Sequence, residues 1–345
     1  MYNHFRRLVI DLDDTISKTY NRDFGNAEPI TGVVDKVNYL YENGWEIIIL
    51  TARGQLSCSG DHILADKKYR KQIEGWLKKN GVKYHKLSFN KILAAYYVDD
   101  KGLSPEQFSE LDIKVIKNGW SGAIIEKRGD LIYKQHPGIN AEAYWYSLVK
   151  DIVSTPNLVS VIGDTICLKF IDNVGSFNIR TINEIIKKFS NKGHYSPDFD
   201  SYIKRIESHL MYNEDFWEIL EPLKENSEFF NGLKSFCHGD LSMDNVLVNG
   251  KGEHYLIDPI FDPNCYSSWV LDASKMLHSL RRYSRTEDYE FLFSQYEDIV
   301  GRERLLLLEV TQFIRTLKYI KDMELKLNFI QIIKSLMNEL NIRNK

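Results

Sequence analysis

Cys237-His238-Gly239-Asp240-Leu241-Ser242-Met243-Asp244-Asn245-Val246-Leu247-Val248 carries a polar loop straight into an apolar strand. A turn at Asn249-Gly250 comes next, then a second short strand, Tyr255-Leu256-Ile257, which delivers Asp258 at its end. An HxDxxxxN loop, a hydrophobic strand and a strand-end Asp together form a specific pattern. The residue types explain its chemistry. One carboxylate orients an acceptor hydroxyl, while an amide oxygen and a second carboxylate hold Mg2+ on the phosphates of ATP.

Upstream of this loop, residues 112–117, 124–127 and 131–134 read as three short strands joined by Gly-containing turns, an antiparallel meander. A helical pattern runs from Ala141 to Ile152, and strands follow at Leu158–Ile162 and Thr165–Ile171. Beyond Thr181 most of the chain has helical periodicity, and the amphipathic stretch from Leu305 to Leu340 reads as core helices.

Before residue 112 the rhythm is different. Leu8-Val9-Ile10 reads as a buried strand, and a helix follows through Val34, Val37, Leu40 and Tyr41, punctuated by Asn43-Gly44. Trp45–Leu50 is a second buried strand running into Thr51, residues 66–79 a basic amphipathic helix, and 84–89 and 94–98 further strands, the latter ending in Asp99-Asp100. Strands alternating with helices imply a mainly parallel sheet. Gly102–Glu110, with Pro105 inside it, is the expected linker to the meander.

The first strand opens directly onto Asp11-Leu12-Asp13-Asp14-Thr15. In a parallel sheet, ligand sites collect at the carboxyl ends of the strands. Thr51, Lys91 and Asp99-Asp100 fall at the same kind of position. The set suits phosphoryl transfer to an enzyme carboxylate: one Asp attacks phosphorus and a second handles protons. A hydroxyl and a Lys hold phosphate oxygens, and further carboxylates hold Mg2+.

Composition narrows the class. The chain has 345 residues, 43% hydrophobic, 12% aromatic and 27% charged, enough for two packed domains and unlike a disordered or fibrous chain. A formal charge of −3 is too close to neutral for a dedicated nucleic-acid or anionic-membrane binder. Cys58, Cys167, Cys237 and Cys265 form no CxxC pair, which argues against a zinc site or a disulfide framework and fits a reducing compartment. The early carboxylates make residues 1–20 a poor signal peptide, and no apolar run approaches the ~20 residues of a spanning helix. The expectation is a soluble, cytoplasmic protein without nucleic-acid or membrane partners.

The order Asp11, Asp13, Thr15, Thr51, Lys91 and Asp99-Asp100 resembles the haloacid dehalogenase-like phosphatases over about residues 5–111. That resemblance implies Asp11 as nucleophile, Asp13 as acid/base, Thr51 and Lys91 as phosphate ligands, and Asp11, Asp13 and Asp99 or Asp100 around Mg2+, with Thr15 in support. The short spacers imply no large cap, so that Arg53 and Arg70 become candidate substrate contacts. The fragment HGDLSMDN resembles the aminoglycoside phosphotransferase and choline kinase-like small-molecule kinases over about 112–345. It implies Asp240 as catalytic base, Asn245 and Asp258 on Mg2+, and His238 supporting the loop. Gly119 and Gly122 would lie in the turn over the phosphates of ATP, Lys134 on its α- and β-phosphates with Glu142 as helix partner, and Lys169–Asp172 at the adenine hinge. Asp272 would pack against the catalytic loop, with a helix N-cap as the alternative role.

The expected fold class is therefore α/β. A Rossmann-like three-layer α/β phosphatase domain without a large cap spans 1–111, and a two-lobed α+β protein-kinase-like domain spans 112–345. The expected function is bifunctional: hydrolysis of a small-molecule phosphate ester through an aspartyl-phosphate, and ATP-dependent phosphorylation of a small-molecule hydroxyl, with Mg2+ in both. Acting on one position, the pair would only consume ATP, so different positions or consecutive intermediates are expected. By analogy, such a fusion suits activation of a sugar or polyol for a surface polysaccharide. A nucleic-acid end-processing kinase-phosphatase would need a Walker A loop and a basic groove, and the sequence has neither. A regulatory protein with one inactive domain would be expected to lack Asp11, Asp13, Asp240 or Asp258, and all four are present.

Overall fold

Alternation decides the first unit. In a computed structural model that describes residues 6–19, 23–24, 26–92, 94, 97, 99, 101–116, 122–193, 196–211 and 214–342, the chain divides into two compact units, 1–115 and 116–345. The first begins with β1 (Arg7–Ile10), then β2 (Ser17–Lys18) and β3 (Glu28–Pro29), which pair as a small antiparallel ribbon. α1 (Thr31–Glu42) buries Val33, Val34, Val37 and Leu40, the stripe its spacing dictates. β4 (Glu46–Leu50) follows, its Ile47 and Ile49 buried on one face. α2 (His62–Lys79) starts earlier than its hydrophobic pattern suggests, because the Asp61 carboxylate accepts from the Ile63 and Leu64 N–H groups and caps the helix there. β5 (Lys86–Ser88) completes a sheet of order β1-β4-β5, parallel throughout. The loops after its strands therefore leave from one edge, and these carry Asp11, Thr51 and Lys91.

Two expectations in this unit are corrected or fall outside it. Gly102–Glu110 is not a plain linker: α3 (Pro105–Glu110) forms within it, Ser104 and Gln107 closing a capping box, and Phe108 is buried in the core of this unit. A Pro at the first helical position starts a helix rather than breaking one. The strand expected over 94–98 lies largely outside the described residues, and Ala94 and Tyr97 carry no strand.

The strands of the expected meander form. β6 (Ile113–Ile116) spans the division between the units, and in the larger unit β7 (Ile124–Arg128) pairs antiparallel with β8 (Leu131–Gln135). α4 (Ile139–Val149) crosses to β9 (Leu158–Ile162) and β10 (Thr165–Lys169), and β10 inserts between β8 and β9. Helices α5 (Ile179–Ser190), α6 (Asp200–Leu210), α7 (Leu220–Glu225) and α8 (Ser227–Asn231) precede the hairpin of β11 (Val246–Val248) and β12 (His254–Leu256). The final helices are α9 (Trp269–Arg282), α10 (Thr286–Val300), α11 (Arg302–Leu317) and α12 (Met323–Glu339). α9 and α11 are buried almost all round and form the centre of the larger core. The four cysteines are buried and unbridged. Among the described residues, no helix is long and apolar enough to cross a membrane.

Candidate functional site

The loop Cys237–Asn245 is held from beneath. Gly239 has φ +82, and a Cβ there would stand 2.3 Å from the Ile260 carbonyl oxygen, so only glycine fits. Asp272, fully buried on α9, accepts from the His238 N–H at 2.7 Å and the Gly239 N–H at 2.9 Å. Burial pushes its pKa up to about 7 despite those two bonds. Asp272 thus braces the loop, while the α9 N-cap is Ser268. His238 donates from Nε2 to the Ile257 carbonyl at 3.0 Å and accepts at Nδ1 from the Asp240 N–H at 3.3 Å. That fixes its tautomer, and burial holds its pKa down at about 4, so the ring is a neutral strut.

Asp240 is engaged on both carboxylate oxygens. Asn245 Nδ2 donates to Oδ2 at 3.0 Å and to the Asp240 carbonyl at 2.8 Å, and Lys275 Nζ lies 3.0 Å from Oδ1. Burial works against the charge on Asp240, but Lys275 and Arg315 outweigh it and hold the carboxyl below its ordinary pKa. Asp258 follows β12 with φ +57, a left-handed conformation on the order of 1 kcal/mol or more uphill for a residue with a side chain. Its carboxylate lies 2.8 Å from Lys134 Nζ, which also reaches Glu142 at 2.7 Å. Burial opposes the Lys134 charge, yet Glu142 and Asp258 raise its pKa above the lysine norm. Tyr146 Oη donates to Glu142 at 3.3 Å and accepts from the Asp258 N–H at 3.4 Å, and His136 Nε2 sits 3.0 Å from Glu142. Residues from β8, α4 and the strand-end loop are tied into one cluster.

With Asn245 Nδ2 engaged by Asp240, its amide oxygen is the atom left for a cation, and the Asp258 carboxylate, at the far end of the hairpin, is 40% exposed. An amide oxygen and a carboxylate are hard donors, and a pair of them that leaves room for phosphate oxygens and water fits Mg2+. Of the expected phosphate turn, Gly119 lies outside the described residues, and Gly122 has φ +78 with open space around it. The segment from Lys169 to Asp172 leaves β10 as irregular chain, the Phe170 N–H bonded to Asp130.

In the smaller unit, Asp11 lies 2.7 Å from Lys91 Nζ. Burial raises the Asp11 pKa, offset in part by Lys91. Thr51 is fully buried, its hydroxyl accepting from the Arg53 N–H at 2.9 Å. Arg53 is turned inward and forks onto Asp13, with Nε 2.9 Å from Oδ1, and its Nη1 is buried without a hydrogen-bond partner. The Thr15 hydroxyl donates to the Asp13 carbonyl over a long 3.5 Å. Arg70 is held by Asp66 and Glu74 on its own helix and by the Leu87 carbonyl. Asp99 accepts from the Lys101 N–H, and Asp100 lies outside the described residues. Among the described residues, no three carboxylate, imidazole or thiol groups converge on a metal position in either unit. In the smaller unit, Asp11 and Asp13 each face a cation instead.

No family model and no curated protein matches the chain. Solved structures do resemble it. Choline kinase LicA from Streptococcus pneumoniae superposes with a TM-score of 0.51 at 16% identity, covering 67% of this chain and 94% of that one. A choline/ethanolamine kinase family protein from Mesorhizobium loti gives 0.49 at 13% identity, over 67% of this chain and 90% of its own. An MCSG target from Vibrio cholerae matches at 26% identity with a TM-score of 0.30, over 31% of this chain and 89% of its own. About two thirds of the chain therefore has a choline kinase-like fold.

Lys275, Arg315 and the Arg53–Asp13 pair did not come out of the sequence pattern. Lys275 follows Asp272 by one helical turn, so the face that braces the loop also brings the ammonium to it, and that spacing was the available signal.

Proposed function

We propose that the larger unit is an ATP-dependent phosphotransferase acting on a hydroxyl of a small molecule. The observation that carries this is Lys134, bonded at once to Glu142 and Asp258, beside a loop whose Asp240 is fixed by Asn245. In this reading Lys134 binds the ATP phosphates and Glu142 holds it in place. Asp240 accepts the hydrogen bond of the acceptor hydroxyl, aims its oxygen at the γ-phosphorus and takes its proton as the new P–O bond forms, while the bond from that phosphorus to the β–γ bridging oxygen breaks and ADP leaves with the electron pair. Mg2+ held by Asn245 and Asp258 would supply neutralisation of the phosphate charge. The domain running from about residue 112 to 345 belongs to this activity.

We further propose that residues 1–111 are a phosphatase. Asp11 Oδ attacks the phosphorus of a phosphate ester, Lys91 lies against the incoming anion, and Asp13 exchanges protons with leaving group and water once Arg53 releases it. The support is the gathering of Asp11, Thr51 and Lys91 at one edge of a parallel sheet, with Lys91 at 2.7 Å from Asp11. Two hydroxyls of one molecule, or two consecutive intermediates, would let both activities run without merely hydrolysing ATP.

The test is a paired screen of sugars, polyols and amino alcohols. Phosphorylated members are assayed for phosphate release, and unphosphorylated members for Mg2+-dependent ATP consumption. ATP use that persists undiminished in Asp240→Asn would reject the kinase assignment. Phosphate release that persists in Asp11→Asn would reject the other.

A further inference from the structure

Beside Asp240 the larger unit gathers several cations. α6 packs on α11 through Tyr202, whose hydroxyl lies 2.8 Å from Thr311 Oγ1 and accepts from Gln312 at 3.2 Å. Arg205 and His209 sit one turn apart on α6, and Lys318, which caps the C-terminal end of α11, follows Arg315 by one turn. Arg315 reaches the catalytic loop itself, with Nη2 3.4 Å from the Gly239 carbonyl, next to Asp240. Its other donor goes to the neutral Gln312 amide oxygen at 2.8 Å. Among the described residues, neither Arg315 nor Lys318 has a carboxylate ion-pair partner, and Arg205 has one long contact, 3.4 Å to Asp262. His209 is 5% exposed, and its Nδ1 is buried without a hydrogen-bond partner.

An unbonded imidazole nitrogen in low dielectric is unfavourable unless something offsets it, and beside it stand Arg205, half-buried, and Lys318, exposed. Burial, then Lys318, Arg315 and Arg205, hold the His209 pKa down at about 4. The carboxylates facing the cluster are Asp240, on which Lys275 and Arg315 already act, the buried Asp272, bonded to the loop, and Asp262, shared between Arg205 and the Asn264 N–H. A cationic acceptor would meet repulsion here. An anion would bond the Arg205 guanidinium and the Lys318 ammonium beside Arg315, and give His209 a reason to take a proton.

Resting on the kinase reading above, we propose that the acceptor is itself anionic: a small molecule whose phosphate or carboxylate group seats among Arg205, His209, Arg315 and Lys318 while its free hydroxyl meets Asp240. The anion binds and orients, and no bond to it is made or broken.

Two measurements on the full chain test this. The first follows the His209 ring by NMR in 15N-histidine-labelled protein, assigned by its loss in His209→Gln, as inorganic sulfate is added. Sulfate should shift the ring signals and favour its protonated form, and Arg205→Gln should weaken that response at least tenfold. An unmoved His209 signal, or an equal response in Arg205→Gln, overturns the site. The second compares ATP consumption with each polyol or sugar bare, as its phosphate ester and as its acid, with choline as the cationic member. Turnover should be confined to the anionic forms, and the better of the phosphate and carboxylate series names the group. Arg205→Gln should raise the KM of that acceptor at least tenfold with kcat within about twofold. Turnover of bare or cationic acceptors in preference to anionic ones overturns the proposal. If Mg2+-ATP fails to bind the wild-type protein by calorimetry while sulfate still moves His209, the kinase reading is what fails, and the acceptor assignment goes with it.

Discussion

Lys275 Nζ lies 3.0 Å from Asp240 Oδ1, so a cation from a buried helix sits directly on the carboxylate that would meet the acceptor hydroxyl. Asn245 holds the other oxygen, and the carboxylate is thereby fixed in one orientation. Removing the cation should leave Arg315 alone against the burial that favours the protonated form of Asp240, and so raise its pKa. Lys275→Met is expected to move the acid limb of the kcat/KM profile to higher pH and to lower turnover at neutral pH at least about tenfold. Lys275→Arg should keep the limb near its original place. A pH–rate profile of the two variants checks this, and an unmoved limb in Lys275→Met would show that the lysine only fills space.

Asp240→Asn keeps the shape of the loop and removes the base. Kinase turnover should fall by at least about 10², with phosphatase activity unchanged. Asp258→Ala removes the carboxylate that pairs with Lys134 and that is proposed to hold Mg2+, and should weaken Mg2+-ATP binding as well as turnover. Calorimetric titration with Mg2+-ATP decides between them: unchanged affinity in Asp258→Ala would refute its place on the metal.

Asp11→Asn is nearly isosteric and cannot attack phosphorus. It should abolish phosphate release while kinase activity stays within about twofold, since the two activities are assigned to separate compact units. Turnover within tenfold of wild type in the phosphate-release assay would remove Asp11 as nucleophile.

His278 tests the electrostatics of the core. Its ring packs edge-on to Phe313 and Phe329, and both ring nitrogens are buried without hydrogen-bond partners. Burial, helped by Lys275, Arg282 and Arg315, holds its pKa well below 6.5. A depressed folded pKa contributes stability that is present above the unfolded value and lost as pH falls below it. His278→Leu should therefore be neutral or stabilising at pH 7, by up to about 2 kcal/mol, and increasingly stabilising as the pH is lowered from 6.5. Urea midpoints for the larger unit at pH 7 and pH 5 measure it, and a larger gain at pH 7 than at pH 5 would contradict the sign.

The parts of the site that can be read from the chain are those close together along it. Asp240, Asn245 and Asp258 share one loop and hairpin, and Lys134 lies one helical entry before Glu142, so local spacing carries the chemistry. Lys275 and Arg315 reach the loop only when α9 and α11 pack, and a lysine in a helix pattern ordinarily reads as solvent-facing. α3 was hidden for a related reason: Pro105 reads as a breaker in isolation, and only the box closed by Ser104 and Gln107 shows that it opens a helix. Asp272 stood between two roles because both begin with a carboxylate near a helix start. The geometry separates them, since its acceptor atoms face the loop and Ser268 takes the cap.

Gly239 has a consequence for reading other members of this lineage. Its lack of a side chain answers to the Ile260 carbonyl, whereas Asp240 beside it answers to the proposed phosphoryl transfer. A descendant that abandoned phosphoryl transfer would be released from keeping the aspartate but would still need the glycine to fold. Retention at the first position with drift at the second is thus a signature of a silenced copy, and loss of both marks a loop rebuilt along another path. Two adjacent letters of sequence separate inheritance of shape from inheritance of chemistry.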